Sequence, residues 1–117
     1  MESHSAPDAK SERMARLRAA AAALPLLPGV YIMRDKRGRV IYIGKSRALR
    51  ARVSQYFVEG RHPPKTEWMV SLVDSFDTIV CTTEMEALTL EASLIKRHSP
   101  KYNIKLKDAK NYPYIKV

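Results

Sequence analysis

The sequence predicts an α+β domain organised around one β-hairpin that runs directly into a helix. Two β-rich runs, 29–34 and 39–44, flank the turn-forming cluster Asp35-Lys36-Arg37-Gly38. Beyond the second run, Leu49, Val53 and Phe57 recur four residues apart, the spacing of a buried helical stripe. A β-branched run further on supplies a third strand, and stretches of helical spacing lie before and after it. The 117 residues suffice for one compact domain with a hydrophobic core, and not for two.

The elements follow in chain order. Residues 1–10 are mostly small and polar and are expected to form a disordered tail, leaving 11–117 as the single domain. Residues 11–24, rich in Ala, Leu and Arg, predict a helix capped by Ser11 and ended by Pro25, with Leu24, Leu26 and Leu27 as apolar anchors to the core. If Asp35–Gly38 form the hairpin turn, paired residues sum to 73, which sets Tyr31 opposite Tyr42. Alternation then puts Tyr31, Met33, Val40 and Tyr42 on one face, and Val30, Ile32, Ile41 and Ile43 on the other. Ser46 is positioned to cap a helix over 47–57, in which Arg52 and Tyr56 form a second stripe beside the apolar one. Gly60, Pro63 and Pro64 mark 59–64 as a loop. Residues 65–76 return to helical spacing, with Trp68, Met69, Leu72 and Val73 as the apolar face, and 77–82 read as the third strand. Thr83-Glu84-Met85-Glu86 is a capping-box pattern opening a helix to about His98, stopped by Pro100. Residues 101–111 are basic and irregular, and 112–117 are β-prone.

The formal net charge is +9, and it is unevenly spread. Residues 24–66 hold ten Lys/Arg and two acids, 67–91 hold six acids and no Lys/Arg, and 92–117 hold seven Lys/Arg and one acid. A phosphate polymer is the natural partner of such basic blocks, the alternative being a solvated surface. No apolar run is long enough to span a membrane, and nothing has the flanks of a signal peptide. One cysteine, Cys81, gives neither a disulfide framework nor a zinc cluster, and a reducing cytoplasm is the simplest compartment. Gly44-Lys45-Ser46 resembles the end of a phosphate-binding loop, but the earlier glycine that motif needs falls on Arg39, so a nucleotide-binding role is excluded. His4, His62 and His98 have no metal-like spacing and are read as surface residues.

Glu91 is the first candidate for chemistry. Ala87, Leu88, Leu94 and Ile95 surround it at helical spacing, so a carboxylate interrupts an apolar stripe and requires a partner. The partner is either one of the many arginines or a hard divalent cation such as Mg²⁺ or Mn²⁺, which takes carboxylate and water oxygens. Tyr31 and Tyr42 are paired packing residues or, with Lys45 and Arg52 near, phenols whose pKa a cation would lower toward a base. Asn103, following Tyr102, is a turn residue or a site amide.

Together these residues resemble a known family. Gly29-Val30-Tyr31 and Tyr42-Ile43-Gly44, with a helical arginine at Arg52 and a later helical Glu91, are similar to the signature of the GIY-YIG nucleases. Within that family the likeness is closest to the N-terminal domain of the UvrC proteins of bacterial excision repair. It runs from about Leu27 to Val117, and the stretches 42–57, 83–91 and 99–108 carry most of it. The resemblance implies a small three-stranded antiparallel sheet with helices around it, one divalent cation (Mg²⁺ or Mn²⁺), and hydrolysis of a DNA phosphodiester on the 3′ side of a lesion. It implies that Glu91 holds the metal, that Tyr42 takes a proton from the attacking water with Lys45 nearby, and that Arg52 steadies the phosphate. Tyr31 and Tyr56 would line the site, and Asn103 would fix it by hydrogen bonding. Damaged double-stranded DNA and UvrB, with UvrA upstream, are the implied partners. A monomeric domain excised from a longer chain is expected. The alternatives are a stand-alone GIY-YIG repair or structure-specific nuclease, and a basic DNA-binding module without catalysis. One departure is Ala109-Lys110-Asn111, where UvrC chains usually read Asp-Lys-Ser.

Overall fold

The structure, a computed structural model, describes residues 8–58, 60 and 62–106. Helix α1 (Ala9–Ala22) leads to strands β1 (Gly29–Arg34) and β2 (Val40–Ser46), then helices α2 (Leu49–Tyr56) and α3 (Pro64–Leu72), strand β3 (Ser75–Val80) and helix α4 (Glu84–His98). Residues 101–106 are helical as well, where an irregular segment was expected. The sheet is antiparallel with order β2-β1-β3, so the predicted α+β class and three-stranded sheet are found. Two apolar clusters sandwich it. Tyr31, Met33 and Ile41 pack with α1, α2, α3 and the 101–106 segment on one face. Val30, Ile32 and Ile43 pack under α4 on the other. The predicted stripe Leu49, Val53 and Phe57 is fully buried in the first cluster. Deleting such a side chain costs about 2–5 kcal/mol.

The hairpin register departs from the sum of 73. Tyr31 lies opposite Gly44 and Met33 opposite Tyr42, whereas Arg34 lies opposite Val40. Two causes add up. The Asp35 carboxylate accepts from the Arg37 and Arg39 amides, and the Asp35 amide donates to the Arg39 carbonyl, closing a three-residue loop. Gly38, at φ 81°, takes the left-handed position that such a loop requires. A bulge at Ile41 then inserts one more residue. The first shift reverses the faces and the second restores them. Ile41 therefore joins the Tyr31 face and Val40 the α4 face, against expectation, while Tyr42 keeps the face expected for it.

Several local expectations are corrected by tertiary context. Asp8, not Ser11, caps α1, accepting from the Ser11 amide at 2.7 Å, and the helix begins within the expected tail. Ser46 ends β2, and its hydroxyl accepts from the Ala48 amide. The amides of Leu49 and Arg50, which open α2, donate instead to the carbonyls of Leu27 and Pro25. The 25–28 segment thus serves α2 through its backbone, and Leu26 and Leu27 stay half exposed. Helix α3 stops at Leu72, and β3 begins within the stretch expected to be helical. Arg13 donates to the carbonyls of Val70 and Val73 at 3.1 and 2.6 Å, so α1 supplies donors at the α3 terminus. The apolar face of α3 that enters the core is Met69, Val70 and Val73, leaving Trp68 65% exposed and Leu72 exposed. Thr83 caps α4 as predicted, although Glu86 reaches back to the amide and hydroxyl of Thr82. Residues 1–7, expected within the tail, and 107–117, expected to be irregular to 111 and β-prone from 112, lie outside the described residues.

Candidate active site

Alternation along β1 and β2 directs Tyr31 and Tyr42 to the same face, and the last turn of α2 brings Tyr56 against them. The three rings form a triangle with centroids 5.6 Å (Tyr31–Tyr56), 6.2 Å (Tyr31–Tyr42) and 6.4 Å (Tyr42–Tyr56) apart. The Tyr31 and Tyr56 hydroxyls share a hydrogen bond of 2.8 Å. Gly44 permits this packing, because a Cβ there would collide with the Tyr31 ring and hydroxyl. At Gly29 a Cβ would strike the Ile79 carbonyl and the Leu49 side chain, so the first glycine keeps β1 against β3 and α2. Arg52, one turn before Tyr56, lays its guanidinium over that ring at 5.2 Å.

Burial dominates the electrostatics of the cluster. It pushes the Tyr31 phenol up to about 12, with the Tyr42 charge adding to the rise and the Tyr56 hydrogen bond and Arg52 opposing it. Tyr42 is raised by burial first, then by Tyr56, with a further upward push from the Glu91 carboxylate and a downward one from Arg52. Tyr56 is raised by burial and by Tyr31. The expected lowering of a tyrosine pKa is therefore not found. Desolvation of three adjacent phenols outweighs one half-exposed guanidinium. Lys45 lies near the end of β2, opposite Val30 of β1. It is exposed on β2, three residues from Tyr42, and alternation starts its side chain on the opposite face. It lines a second groove with Arg47, Ala51, Met85 and Leu88, which meets the tyrosine site at Arg52 and Gln55.

Glu91 lies half-buried on α4, the helix that covers Ile43 and Val30, and its carboxylate acts on Tyr42 across β2. Around it Ala87 is buried and Leu94 and Ile95 are partly buried, whereas Leu88, expected in the stripe, is exposed. Among the described residues no three His, Cys, Asp or Glu converge on a common point. A single carboxylate suits a hard cation that keeps most of its waters, and does not suit a zinc cage.

Asn103 makes a two-point clasp on β2. Its Oδ1 accepts from the Ile43 amide and its Nδ2 donates to the Ile43 carbonyl, both at 2.8 Å. Since β2 is an outer strand, these groups have no strand partner on that side. The clasp fixes the residue between Tyr42 and Gly44. His62, expected on the surface, instead belongs to the site. It is half-buried, its ring nitrogen lies 3.1 Å from the Tyr56 carbonyl oxygen, and the two rings stack at 6.0 Å and 22°. Loop residues carry no periodicity, so its place was hidden; its position six residues after Tyr56 and before Pro63-Pro64 was the available signal. Cys81 is buried, and burial pushes its thiol up, which leaves it a packing residue.

Residues 27–104 match the family model of the UvrC-like GIY-YIG domain. The chain is 56% identical over 95 residues to UvrABC system protein C of Caldanaerobacter subterraneus, an alignment that covers 80% of this chain and 15% of that protein. It is 48% identical over 108 residues to the same protein of Desulfitobacterium hafniense, covering 92% of this chain and 18% of the relative. The chain thus spans less than a fifth of the length of these curated relatives. Among solved structures, the N-terminal GIY-YIG endonuclease domain of UvrC from Thermotoga maritima, bound to its catalytic magnesium, superposes with a TM-score of 0.68 at 39% identity, covering 74% of this chain and 94% of that one. Both the tyrosine triangle with its arginine and the sheet that carries it fall within the matched residues, and the chain belongs to the UvrC-like GIY-YIG family.

Proposed function

We propose that this chain is a metal-dependent DNA endonuclease domain that makes the 3′-side incision next to a lesion in bacterial nucleotide excision repair. The observation that carries the reading is the convergence of Tyr31, Tyr42 and Tyr56 with Arg52 on one side and the Glu91 carboxylate close enough to act on Tyr42. A packing cluster has no use for a guanidinium laid over one of its rings.

Glu91 would hold one divalent cation, Mg²⁺ or Mn²⁺, which when bound polarises a phosphate oxygen and stabilises the leaving group. The Thermotoga domain holds magnesium as its catalytic cation, and related variants with a single Tyr→Phe or Asn→Ala replacement retain the divalent cation. Arg52 would bind the scissile phosphate and offset its growing negative charge, a type of contribution worth about 10²–10³-fold in rate. Tyr42 would accept the proton of the attacking water. Its raised pKa makes the phenolate scarce at rest, so positive charge must gather at the site first, and Arg52 supplies part of it. Tyr31 and Tyr56 would hold that water through their linked hydroxyls, and Asn103 would keep Tyr42 in place by fixing Ile43. Lys45 would touch the DNA backbone along its own groove.

The relatives are named for a UvrABC system, and UvrB, with UvrA upstream, is the proposed partner on damaged duplex DNA. Among the described residues no helix is long and apolar enough to cross a membrane; a cytoplasmic monomeric domain of a longer chain is proposed. The test is incision of an end-labelled damaged duplex with UvrA and UvrB supplied and the remainder of a UvrC protein fused to this chain. Cutting on the 3′ side that needs Mg²⁺ or Mn²⁺ is expected, lost in Glu91→Ala and Tyr42→Phe while DNA binding persists. Undiminished cutting by both variants would overturn the assignment.

A further inference from the structure

The groove that begins at the tyrosine triangle continues well past it. It runs from Tyr42 and Arg52 along Tyr56 and His62 to Lys65 and Thr66 at the start of α3, and encloses about 860 Å³. A single phosphate needs a small fraction of that space, and the volume is in the range of sites for whole organic ligands. Two cations, Arg52 and Lys65, line it, and no carboxylate does among the described residues. Val58, Pro63 and Leu106 add apolar wall to the same groove. The half-buried His62 ring, stacked on the buried Tyr56 ring and hydrogen-bonded to the Tyr56 carbonyl, gives the groove an aromatic step.

Two cations in one groove together with aromatic and apolar surface are what a splayed nucleic acid strand requires. The cations follow the backbone, and the unstacked base finds a dry face. A continuous duplex presents neither an unstacked base nor a way to use the apolar wall. Resting on the nuclease reading above, we propose that this groove is a subsite for one unpaired nucleotide neighbouring the scissile phosphate, with Lys65 and Thr66 holding the adjoining phosphate and the Tyr56–His62 step and the apolar wall receiving its sugar and base. The site thereby selects DNA that is already opened next to the cut.

The test is equilibrium binding by fluorescence anisotropy in chelator, so that no cleavage occurs and the outcome is independent of the catalytic assignment. The probes are a fully paired duplex, the same duplex with a short unpaired stretch, and the single strand. Wild type should prefer the two probes with unpaired residues. Lys65→Ala should weaken binding to them about 5–10-fold and lower the slope of log affinity against log salt by about one, the signature of one lost phosphate contact. Val58→Glu, on the surface of the wall, should weaken the same two probes and leave the duplex unaffected. His62→Phe should retain the preference, because it keeps the stacking ring, whereas His62→Ala should reduce it. Equal binding of all three probes by wild type would overturn the proposal, as would loss of affinity for all three alike in the Lys65 and Val58 variants. A failure of the nuclease reading would show itself separately, as cutting that survives Glu91→Ala.

Discussion

Gly44→Ala tests how the second glycine of the hairpin builds the site. The backbone at Gly44 is not in the left-handed region, so alanine is conformationally acceptable there. Taken alone that change would stabilise the fold by about 0.4–1 kcal/mol through the unfolded chain. The added methyl, however, would sit 2.8 Å from Cε2 of Tyr31 and closer still to its Cζ and hydroxyl. Tyr31 is 1% exposed and tied to Tyr56 by its hydroxyl, so the ring has nowhere to swing without breaking that bond. Overpacking of a tight core costs about 1–3 kcal/mol, and the lost hydrogen bond about 1 kcal/mol more. The net expectation is destabilisation by about 1–3 kcal/mol, read as a lower urea midpoint by far-UV circular dichroism, together with a marked loss of incision. Gly38→Ala is the control: it has open space around its Cβ but φ of 81°, so it should lose about 1–2 kcal/mol from backbone strain alone and keep full incision. In a double-mutant cycle with Tyr31→Ala the Gly44 penalty should largely vanish, a coupling of order 1 kcal/mol or more. A Gly44→Ala protein as stable and as active as wild type would refute the steric account of this motif.

Further outcomes follow from other contacts. Asn103→Ala removes both bonds to Ile43, so it should destabilise by about 1–3 kcal/mol and speed amide exchange at Ile43, with Tyr42-dependent incision reduced at unchanged DNA affinity. Because Tyr31 is raised from 10.0 to about 12, the folded state holds its proton more tightly than the unfolded chain; that stability is whole below pH 10 and is lost as pH rises through about 12, which alkaline unfolding and phenolate absorbance would report together. Trp68→Gln should change stability by less than about 0.5 kcal/mol and Leu49→Ala by about 2–5 kcal/mol, since one is exposed and the other fully buried, as paired urea titrations would show. Thr83→Ala should cost about 1 kcal/mol by losing the bond to the Glu86 amide, with helicity at the start of α4 the most affected by exchange.

The sequence disclosed most where the signal is local. Thr83 and its following acids placed the start of α4, and the spacing of Leu49, Val53 and Phe57 placed the buried side of α2, because both depend on neighbours within a turn or two. It disclosed least where two distant segments decide. Trp68 reads as core by hydrophobicity, yet it is exposed because α1 and the sheet meet α3 through Met69, Val70 and Val73. The hairpin register hinged on an Asp35 side chain that prefers a three-residue loop and on a bulge at Ile41, neither of which leaves a periodic trace. The site was legible as a set of residues but not as a geometry. Tyr31, Tyr42, Tyr56 and Arg52 do converge, while Lys45 lines a neighbouring groove that meets theirs at Arg52 and Gln55, a relation between a strand and two helices that residue spacing does not show. His62 was missed because a loop hides proximity that only the folded turn creates.

The Asn103 clasp has a consequence for self-association. An outer strand with free amides and carbonyls is a template on which another chain can extend the sheet. Here the mid-strand capacity of β2 at Ile43 is taken up by a side-chain amide that imitates a passing backbone. A foreign strand cannot seat there without first expelling Asn103, so the side chain that fixes Ile43 between Tyr42 and Gly44 also blocks edge-to-edge growth at that point. Any pairing between copies is steered to β3, at the opposite edge of the sheet from β2.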